Sequence, residues 1–401
     1  MEQPDRPRYL IDPHLDFIRS EGIPVHEDFG LDLLSLEVAP WPRLGAAGAY
    51  ALVNGRGDFL DMYVLELPPG GETQPQRHLF EEVVYVLRGT GSTTVETPWG
   101  TRSFEWGEKS LFAMPLNAAY RHFNASGSRP ARLVSVTCLP LVLKAFHNLD
   151  FVFDNPCTFR DRFGQERFFK GEGEFIAVRP GRHQWETNFV SDLSSFELQE
   201  WKARGAGGTN IMFVLAEGTM HAHISEMPVG TYKKAHRHGA DFHILPVTGE
   251  GYTLLWYEDD QDFHRVDWRH GSVYAPPDMM FHQHFNVSTA PARYLAVAFG
   301  GLRYPFSEDK RRTFTGMDVS VRDGGRQIEY EDQDPRIHAF YVDELRKRGI
   351  QPRMDEAPVP IMGSRSSPPL PGSPRSQLRG VGSRGITRRS RGKGVRGRGG
   401  G

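Results

Sequence analysis

Residues 230–249 read GTYKKAHRHGADFHILPVTG, and residues 70–89 read GGETQPQRHLFEEVVYVLRG. Both stretches begin and end with glycine, and both carry a histidine eight positions after the first glycine, at His78 and His238. The second stretch has the stronger set of potential metal ligands, because His236 stands where the first has Gln76. A repeat of this length predicts two similarly folded units in one chain of 401 residues.

A second motif is repeated downstream of each stretch. The first copy reads Pro115-x4-Tyr120-x-His122-x-Asn124, and the second reads Pro277-x4-His282-x-His284-x-Asn286. Its polar positions are two residues apart, which on a β-strand places their side chains on one face. The two motifs of each half can therefore supply side chains from two strands to one site.

Short apolar runs alternate with turn residues in both halves. Strands are predicted at 59–67, 82–87, 91–96, 110–114 and 131–139, and again at 210–226, 242–247, 251–257, 272–274 and 294–299. Strands separated by close turns indicate an antiparallel sandwich or barrel. Helices are expected only outside the repeats, at 13–20, 192–204 and 334–349. Asp334-Pro335 opens the last of these, and Gly349 ends it.

The predicted fold is therefore mostly β, with two tandem barrels, a few peripheral helices and a disordered tail. The expected segments are an N-terminal arm at 1–45, an N-terminal barrel at 46–150, a linker with a helix at 151–205, a C-terminal barrel at 206–305, a helical extension at 306–353 and an Arg/Gly/Ser/Pro-rich tail at 354–401. Units of this size lie near the usual size of a domain.

Charge is distributed unevenly along the chain. Ten of the 48 Lys and Arg residues lie beyond Gly363 and no acid does, so residues 1–362 carry a net charge of −12. Such a body is not built to hold nucleic acid. An Arg-Gly run can bind RNA or anionic surfaces, but a solvated tail without that role is the interpretation we favour, because the tail has too few apolar residues to fold.

Cysteine content and hydropathy indicate the compartment. Cys138 and Cys157 form neither a framework of bridges nor a metal-ligand spacing, which fits a reducing compartment. The sequence has no apolar run of about 18 residues and no apolar N-terminal segment. We therefore expect a cytoplasmic protein with no membrane association.

The C-terminal copy carries the candidate metal ligands. His236 and His238 leave the same face of a strand, and His282 of the downstream motif is the natural third donor. His243 is a further candidate, although it lies an odd number of residues from His238 and needs a turn or bulge to reach the same face. The alternative is that His243 faces outward, or that it lies beside the metal ligands without binding the ion. Three histidines would leave coordination positions open, as catalytic metal sites do.

These motifs resemble those of the cupin superfamily, and the two copies together resemble a bicupin. The resemblance covers about 50–145 and 210–300, half of the chain. It implies two double-stranded β-helix, or jelly-roll, barrels. The C-terminal copy departs from the family pattern in having His243 near the expected glutamate and Met279 where the second motif has glycine. Asn117 stands at the equivalent glycine position of the N-terminal copy.

The N-terminal copy has a degenerate ligand set, made of Gln76, His78, Glu82 and Tyr120. Amide and phenol oxygens are poor ligands for a borderline-soft ion, so we expect this barrel to be structural, and a residual metal site is the alternative. No catalytic residue is assigned. Candidates for the surroundings of the C-terminal site are His221, His223, His284, Tyr252 and Trp256, and plain core or hydrogen-bonding roles are the alternative for each.

The ligand set limits the function without selecting one. All-nitrogen sites with open positions suit Fe(II) and, less selectively, Mn, Ni, Cu or Zn. The first hypothesis is an Fe(II) dioxygenase for a small aromatic or polar organic acid, in a two-barrel layout similar to that of gentisate-type enzymes. The alternatives are a redox-neutral lyase, isomerase or decarboxylase, and a metal- or ligand-binding bicupin without turnover. A small-molecule substrate and a homo-oligomer, a dimer or larger, are expected.

Overall fold

The computed structural model describes residues 10–179, 181–239, 241–306 and 318–354. The predicted disordered tail lies outside these residues, apart from Met354. The α-helices are α1 (Pro13–Ser20), α2 (Leu139–Phe146), α3 (Leu149–Phe153) and α4 (Pro335–Lys347). The strands are β1 (Val25–Asp28), β2 (Gly30–Asp32), β3 (Ala39–Trp41), β4 (Ala46–Val53), β5 (Asp61–Leu67), β6 (Glu82–Arg88), β7 (Gly91–Thr97), β8 (Gly100–Trp106), β9 (Leu111–Ala113), β10 (Tyr120–Asn124), β11 (Ala131–Thr137), β12 (Glu174–Arg179), β13 (Arg182–Thr187), β14 (Phe189–Val190), β15 (Gln199–Glu200), β16 (Thr209–Leu215), β17 (Met220–Met227), β18 (Ala235–His236), β19 (Phe242–Thr248), β20 (Glu250–Trp256), β21 (His264–Arg269), β22 (Ser272–Tyr274), β23 (Phe281–Asn286), β24 (Ala292–Phe299) and β25 (Gln327–Ile328).

Each half of the chain forms a barrel from two sheets. In the first half, a sheet ordered β1-β4-β5-β11-β6-β9-β14 accompanies a smaller sheet ordered β10-β7-β8. In the second half, the orders are β12-β13-β16-β17-β24-β19-β22-β2 and β21-β20-β23-β18-β25. Corresponding strands occupy corresponding places, so the predicted fold of two tandem jelly-roll barrels is confirmed.

The two barrels exchange a strand. β2 comes from the N-terminal segment but pairs antiparallel with β22 of the C-terminal barrel. β14 comes from the segment between the repeats and pairs antiparallel with β9 of the N-terminal barrel. The segments predicted as an arm and a linker therefore complete the sheets of both barrels, while the domain boundaries proposed from the sequence stay a prediction.

The two large sheets pack on one another through their outer faces. Val64, Val134, Leu245 and Val297 belong to one apolar cluster that joins both barrels. Residues of the opposite parity line the inside of each barrel, such as Ile244 in the second. Because neighbouring residues of a strand face opposite sides, both faces of these strands are apolar, and the strands appear in the sequence as continuous hydrophobic runs.

Helix α4 confirms the helix signals in the sequence. The Asp334 side chain accepts a hydrogen bond from the backbone N–H of Arg336, and Pro335 is the first helical residue. Ile337, Tyr341 and Leu345 are buried against the smaller sheet of the C-terminal barrel.

None of the helices in the described residues is long and apolar enough to cross a membrane.

The helix expected at 192–204 is replaced by turns, the short strand β15 and a 3-10 helix at Lys202–Arg204. The Asp192 carboxylate accepts hydrogen bonds from Ser194 and Ser195. Such local side-chain bonds compete with helix formation. Phe196 packs on the core between the barrels, so tertiary contacts reinforce the non-helical path.

At two positions where the cupin motifs have glycine, this chain has other residues in the left-handed backbone conformation. Asn117 has φ 58° and Met279 has φ 55°, and their N–H groups donate to the carbonyls of His78 and His238 at 3.1 and 2.9 Å. The repeated turn thus retains the backbone conformation for which glycine is usually selected.

We expect Met279→Gly to raise the free energy of unfolding by up to about 1 kcal/mol, because glycine removes the left-handed penalty. Asn117→Gly is the matched comparison. The Asn117 amide donates to the carbonyls of Asn155 and Cys157 at 2.8 and 2.7 Å, so its loss is expected to cost about 1–2 kcal/mol. Chemical denaturation measures the unfolding free energy of both variants. Equal changes in the two would contradict the explanation that Asn117, unlike Met279, is held by side-chain hydrogen bonds.

Candidate metal centre

Three of the predicted ligands converge in the C-terminal barrel. His236 lies on β18 directly opposite His282 of β23, and His238 follows two residues later. Ligand nitrogens of the three buried imidazoles lie within 4.8 Å of one another. Among the described residues, this is the one group of three His, Cys, Asp or Glu side chains with such spacing. The cluster fits a divalent metal ion, which binds imidazole nitrogens at about 2.0–2.1 Å.

Backbone carbonyls orient two of the rings. Nδ1 of His238 lies 2.8 Å from the Gly239 carbonyl oxygen, and Nδ1 of His282 lies 3.0 Å from that of Met280. A carbonyl oxygen only accepts, so each Nδ1 carries the proton and each Nε2 keeps a lone pair for a cation. Nδ1 of His236 is buried without a hydrogen-bond partner in the described structure. A bound ion would satisfy one nitrogen of that ring.

The imidazoles of His236 and His282 are neutral at neutral pH. Burial lowers the pKa of His282 to about 3. Burial also lowers the pKa of His236, as do Arg204 and the neighbouring histidines. Neutral imidazole is the form that binds metals, so the environment favours the ligating state.

His243 does not join this cluster, which corrects the prediction of a fourth ligand. The pairing of β19 with β24 is regular from Phe242 to Pro246, so Phe242 faces the cavity and His243 faces the other barrel. The Asp241 carboxylate explains this register, since it accepts hydrogen bonds from the backbone N–H groups of Phe59 and Leu60 in the other barrel, each at 3.1 Å. Burial lowers the pKa of His243 to about 4.

An aromatic ring therefore occupies the place expected for a fourth ligand. The ring centroids of Phe242 and His238 are 4.0 Å apart. Phenylalanine cannot coordinate a metal, so within the described part of the chain the cluster offers three imidazole ligands and no carboxylate. The full charge of a divalent cation would remain available to exogenous ligands.

A small cavity of about 30 Å³ adjoins the three histidines, with room for about two water molecules. Sequence reasoning identified all six of its histidines and missed the remaining wall, because no motif marks it. The lining residues are Arg182, Trp201, Arg204, Asn210, Met212, His221, His223, His236, His238, Phe242, Ile244, His282, His284 and Tyr294.

His221, His223 and His284 line the cavity as expected. Nδ1 of His284 lies 2.8 Å from Thr253 Oγ1, which also accepts a hydrogen bond from Trp268 Nε1 at 3.1 Å. The N-terminal barrel repeats this network, with His122 Nδ1 2.7 Å from Thr93 Oγ1 and Trp106 Nε1 donating to Thr93 at 3.0 Å. The repetition indicates that the network is part of the barrel framework.

Tyr252 and Trp256 do not line the cavity, and the structure corrects their proposed place. On β20 the even-numbered residues face away from the barrel interior, whereas Thr253 faces His284. The Tyr252 ring stacks on Phe285 at 4.5 Å and contacts Phe340 of α4 at 5.5 Å. Tyr252 and Trp256 both belong to the apolar cluster that packs beneath α4.

Two buried arginines line the cavity, and the buried Lys233 lies beside aromatic side chains of the same wall. The Arg182 guanidinium carbon lies 3.8 Å from the Trp201 ring centroid, and Arg204 lies 5.1 Å from the same ring. Lys233 Nζ lies 5.1 Å from the Tyr294 ring. Burial, Arg204 and Arg182 lower the pKa of Lys233. The concentration of positive charge favours an anion in this cavity.

The degenerate site of the N-terminal barrel is filled by its own hydrogen bonds. Tyr120 donates to Glu82 Oε2 at 2.5 Å, Tyr63 donates to Glu82 Oε1, and His78 Nε2 lies 2.9 Å from the Tyr120 hydroxyl. Gln76 is turned away, because its amide donates to the backbone carbonyls of Gln74 and Arg43. Burial alone would raise the pKa of Glu82, but the bonds from its partners, chiefly His78, lower it to about 2.

No family model matches the chain, and no curated protein matches it. Among solved structures, the chain is similar to a tryptophan-to-tyrosine variant of oxalate decarboxylase from Bacillus subtilis, with 14% identity, a TM-score of 0.44, and coverage of 69% of this chain and 78% of that chain. A deletion variant of the same enzyme gives 15% identity, a TM-score of 0.44 and the same coverage. The repeated motifs, the matching strand orders and the packed large sheets give two jelly-roll barrels in one polypeptide.

Proposed function

We propose that this protein is a metal-dependent enzyme acting on a small organic anion, with the metal held by His236, His238 and His282. One observation carries the proposal: three imidazoles converge on a cavity whose wall contains the buried Arg182 and Arg204. The three ligands would leave the cation's charge uncompensated, and the guanidinium groups add to it. An anionic substrate supplies the missing negative charge.

A redox-neutral reaction, namely a decarboxylation, lyase or isomerase reaction, fits this cavity better than ring cleavage. The cavity of about 30 Å³ has room for about two water molecules, so a short carboxylate requires less widening than an aromatic acid bound together with dioxygen. A bound cation would act as a Lewis acid toward a carbonyl or enolate oxygen. Arg182 and Arg204 would bind and orient the carboxylate, and the surrounding aromatic residues would exclude water.

An iron-dependent dioxygenase is the second candidate. Phe242 at the place of a fourth ligand would leave neighbouring coordination positions open, as simultaneous binding of substrate and dioxygen requires. In this case the cavity must widen further than it does for a short carboxylate. Iron is one of several metals that three imidazoles accept, and manganese, nickel, copper and zinc remain alternatives. The oligomeric state and the cytoplasmic location stay predictions.

Two measurements on full-length protein purified without chelator test the proposal. Elemental analysis is expected to find one divalent metal per chain. A panel of short mono- and dicarboxylates is then assayed under nitrogen and under air, with product detection by mass spectrometry. Turnover without oxygen, and with zinc as the metal, supports the redox-neutral reaction. Oxygen consumption that requires iron supports the dioxygenase. Bound metal with neither result would assign a binding function instead.

A further inference from the structure

A C-terminal strap, residues 318–333, lies along β18, the strand that carries His236. Its strand β25 pairs with β18, placing Gln327 opposite His236 in the sheet. The Arg237 N–H donates to the Arg326 carbonyl oxygen at 3.0 Å. On the same strap, Glu329 forms an ion pair with Lys234. The strap is therefore attached to β18 by both backbone and side-chain contacts.

The strap also contacts both cavity arginines. The Asp318 carboxylate accepts a hydrogen bond from Arg182 Nη2 at 2.8 Å, and the side chains of this ion pair are 3% and 13% exposed. Arg204 Nη1 lies 3.4 Å from Gln327 Oε1. The charge of Asp318 also acts on Arg204 by electrostatic attraction. One carboxylate of the strap thus offsets part of the positive charge of the cavity wall.

We propose that Asp318 is an internal counter-ion that competes with anionic ligands for Arg182 and Arg204, so that anion binding and attachment of the strap oppose each other. The inference rests on the proposed function in assuming that the cavity receives a small carboxylate. Its physical basis is that a buried cation needs one compensating charge. A bound carboxylate compensates the charge of the cavity arginines and so weakens their attraction for Asp318. Asp318 in turn weakens the attraction of the same arginines for a bound carboxylate. Coupling of this kind is reciprocal between the two sites.

Calorimetric titration of the metal-containing, full-length protein with acetate and with malonate tests the competition. Asp318→Asn is expected to bind the anion about tenfold more tightly, because the competing charge is removed, and to melt at a lower temperature when no anion is present. Arg182→Gln is expected to weaken binding at least about tenfold. Glu329→Gln is the matched control, since it breaks another ion pair of the strap that does not involve the cavity arginines. Its anion affinity is expected to stay within about twofold of the parent.

Hydrogen exchange on the unmutated protein provides a second readout. Saturating malonate is expected to increase amide exchange in residues 318–328, because the strap loses its attraction to Arg182. Unchanged or slower exchange, or an Asp318→Asn variant that binds anions no more tightly than the parent, overturns the inference and makes Asp318 a residue that merely positions Arg182. These measurements need no turnover, so they are scored separately from the proposed function. Anion binding without turnover would contradict the proposed enzymatic function and leave the proposed competition intact. Unaltered anion binding in Arg182→Gln would contradict the competition alone.

Discussion

Alanine in place of His236 or His282 is expected to remove the bound metal. Loss of groups that only support metal ligands already weakens metal affinity by about 10–100-fold, and loss of a ligand itself costs more. Both imidazoles belong to the converging cluster, so we expect at least a 100-fold loss of affinity for either variant. Elemental analysis and competition with a metal-binding dye measure this loss. Any metal-dependent turnover is expected to fall in proportion to metal content.

His243→Leu is the control for this prediction. His243 is a buried histidine of the same barrel, but it faces the cluster between the two barrels, and both of its ring nitrogens lack hydrogen-bond partners among the described residues. We expect the leucine variant to keep its full metal content and its stability, because an unpaired buried polar group is replaced by an apolar one. Metal loss in this variant, or retention in His236→Ala, would refute the proposed site.

Replacing Glu82 with alanine is expected to destabilise the protein by about 3–5 kcal/mol, the usual cost of removing one partner from a buried charged network. The carboxylate is buried, and its removal leaves Tyr63, Tyr120 and His78 without their common partner. Tyr120→Phe keeps the carboxylate and removes one hydroxyl, so we expect a smaller loss of about 1–3 kcal/mol. Chemical denaturation of the metal-free protein measures both.

An exposed glutamate of the same barrel serves as the comparison. Glu72 pairs with Arg121 at 3.1 Å, and its side chain is 50% exposed. Glu72→Ala is expected to cost less than about 1 kcal/mol. If Glu72→Ala and Glu82→Ala cost the same, the buried network does not stabilise the barrel.

The effect of Glu82 is expected to depend on pH. Its pKa is about 2 in the folded protein, against an ordinary value of 4.5. The unfolded chain therefore binds more protons between these values, and the stabilisation is present above pH 4.5 and lost as the pH falls toward 2. The difference in unfolding free energy between the parent and Glu82→Gln is expected to shrink over this range. A constant difference would show that the charge of Glu82 is not involved.

Much of the architecture follows from the sequence. The repeated glycine spacing and the apolar runs predict two β-barrels, and helix α4 begins and ends where Asp334-Pro335 and Gly349 indicate. These signals are local, because turns and helix ends depend on the conformational preferences of a few adjacent residues. The pairing of His236 with His282 could also be inferred, since the same two motifs recur in the other half.

Only the tertiary structure decided which way His243, Tyr252 and Trp256 point. Strand register sets these directions, and a slip by one residue exchanges the two faces of a strand. The register at His243 depends on Asp241, whose partners lie 181 and 182 residues away in the other barrel.

The charged wall of the cavity likewise needed the folded chain. Arg182, Arg204 and Asp318 lie far apart in sequence and meet because β13, the 3-10 helix at Lys202–Arg204 and the strap converge on one barrel. The sequence by itself determined the barrels and the three imidazoles. The two arginines of the cavity wall are brought together by long-range packing, which no local pattern encodes.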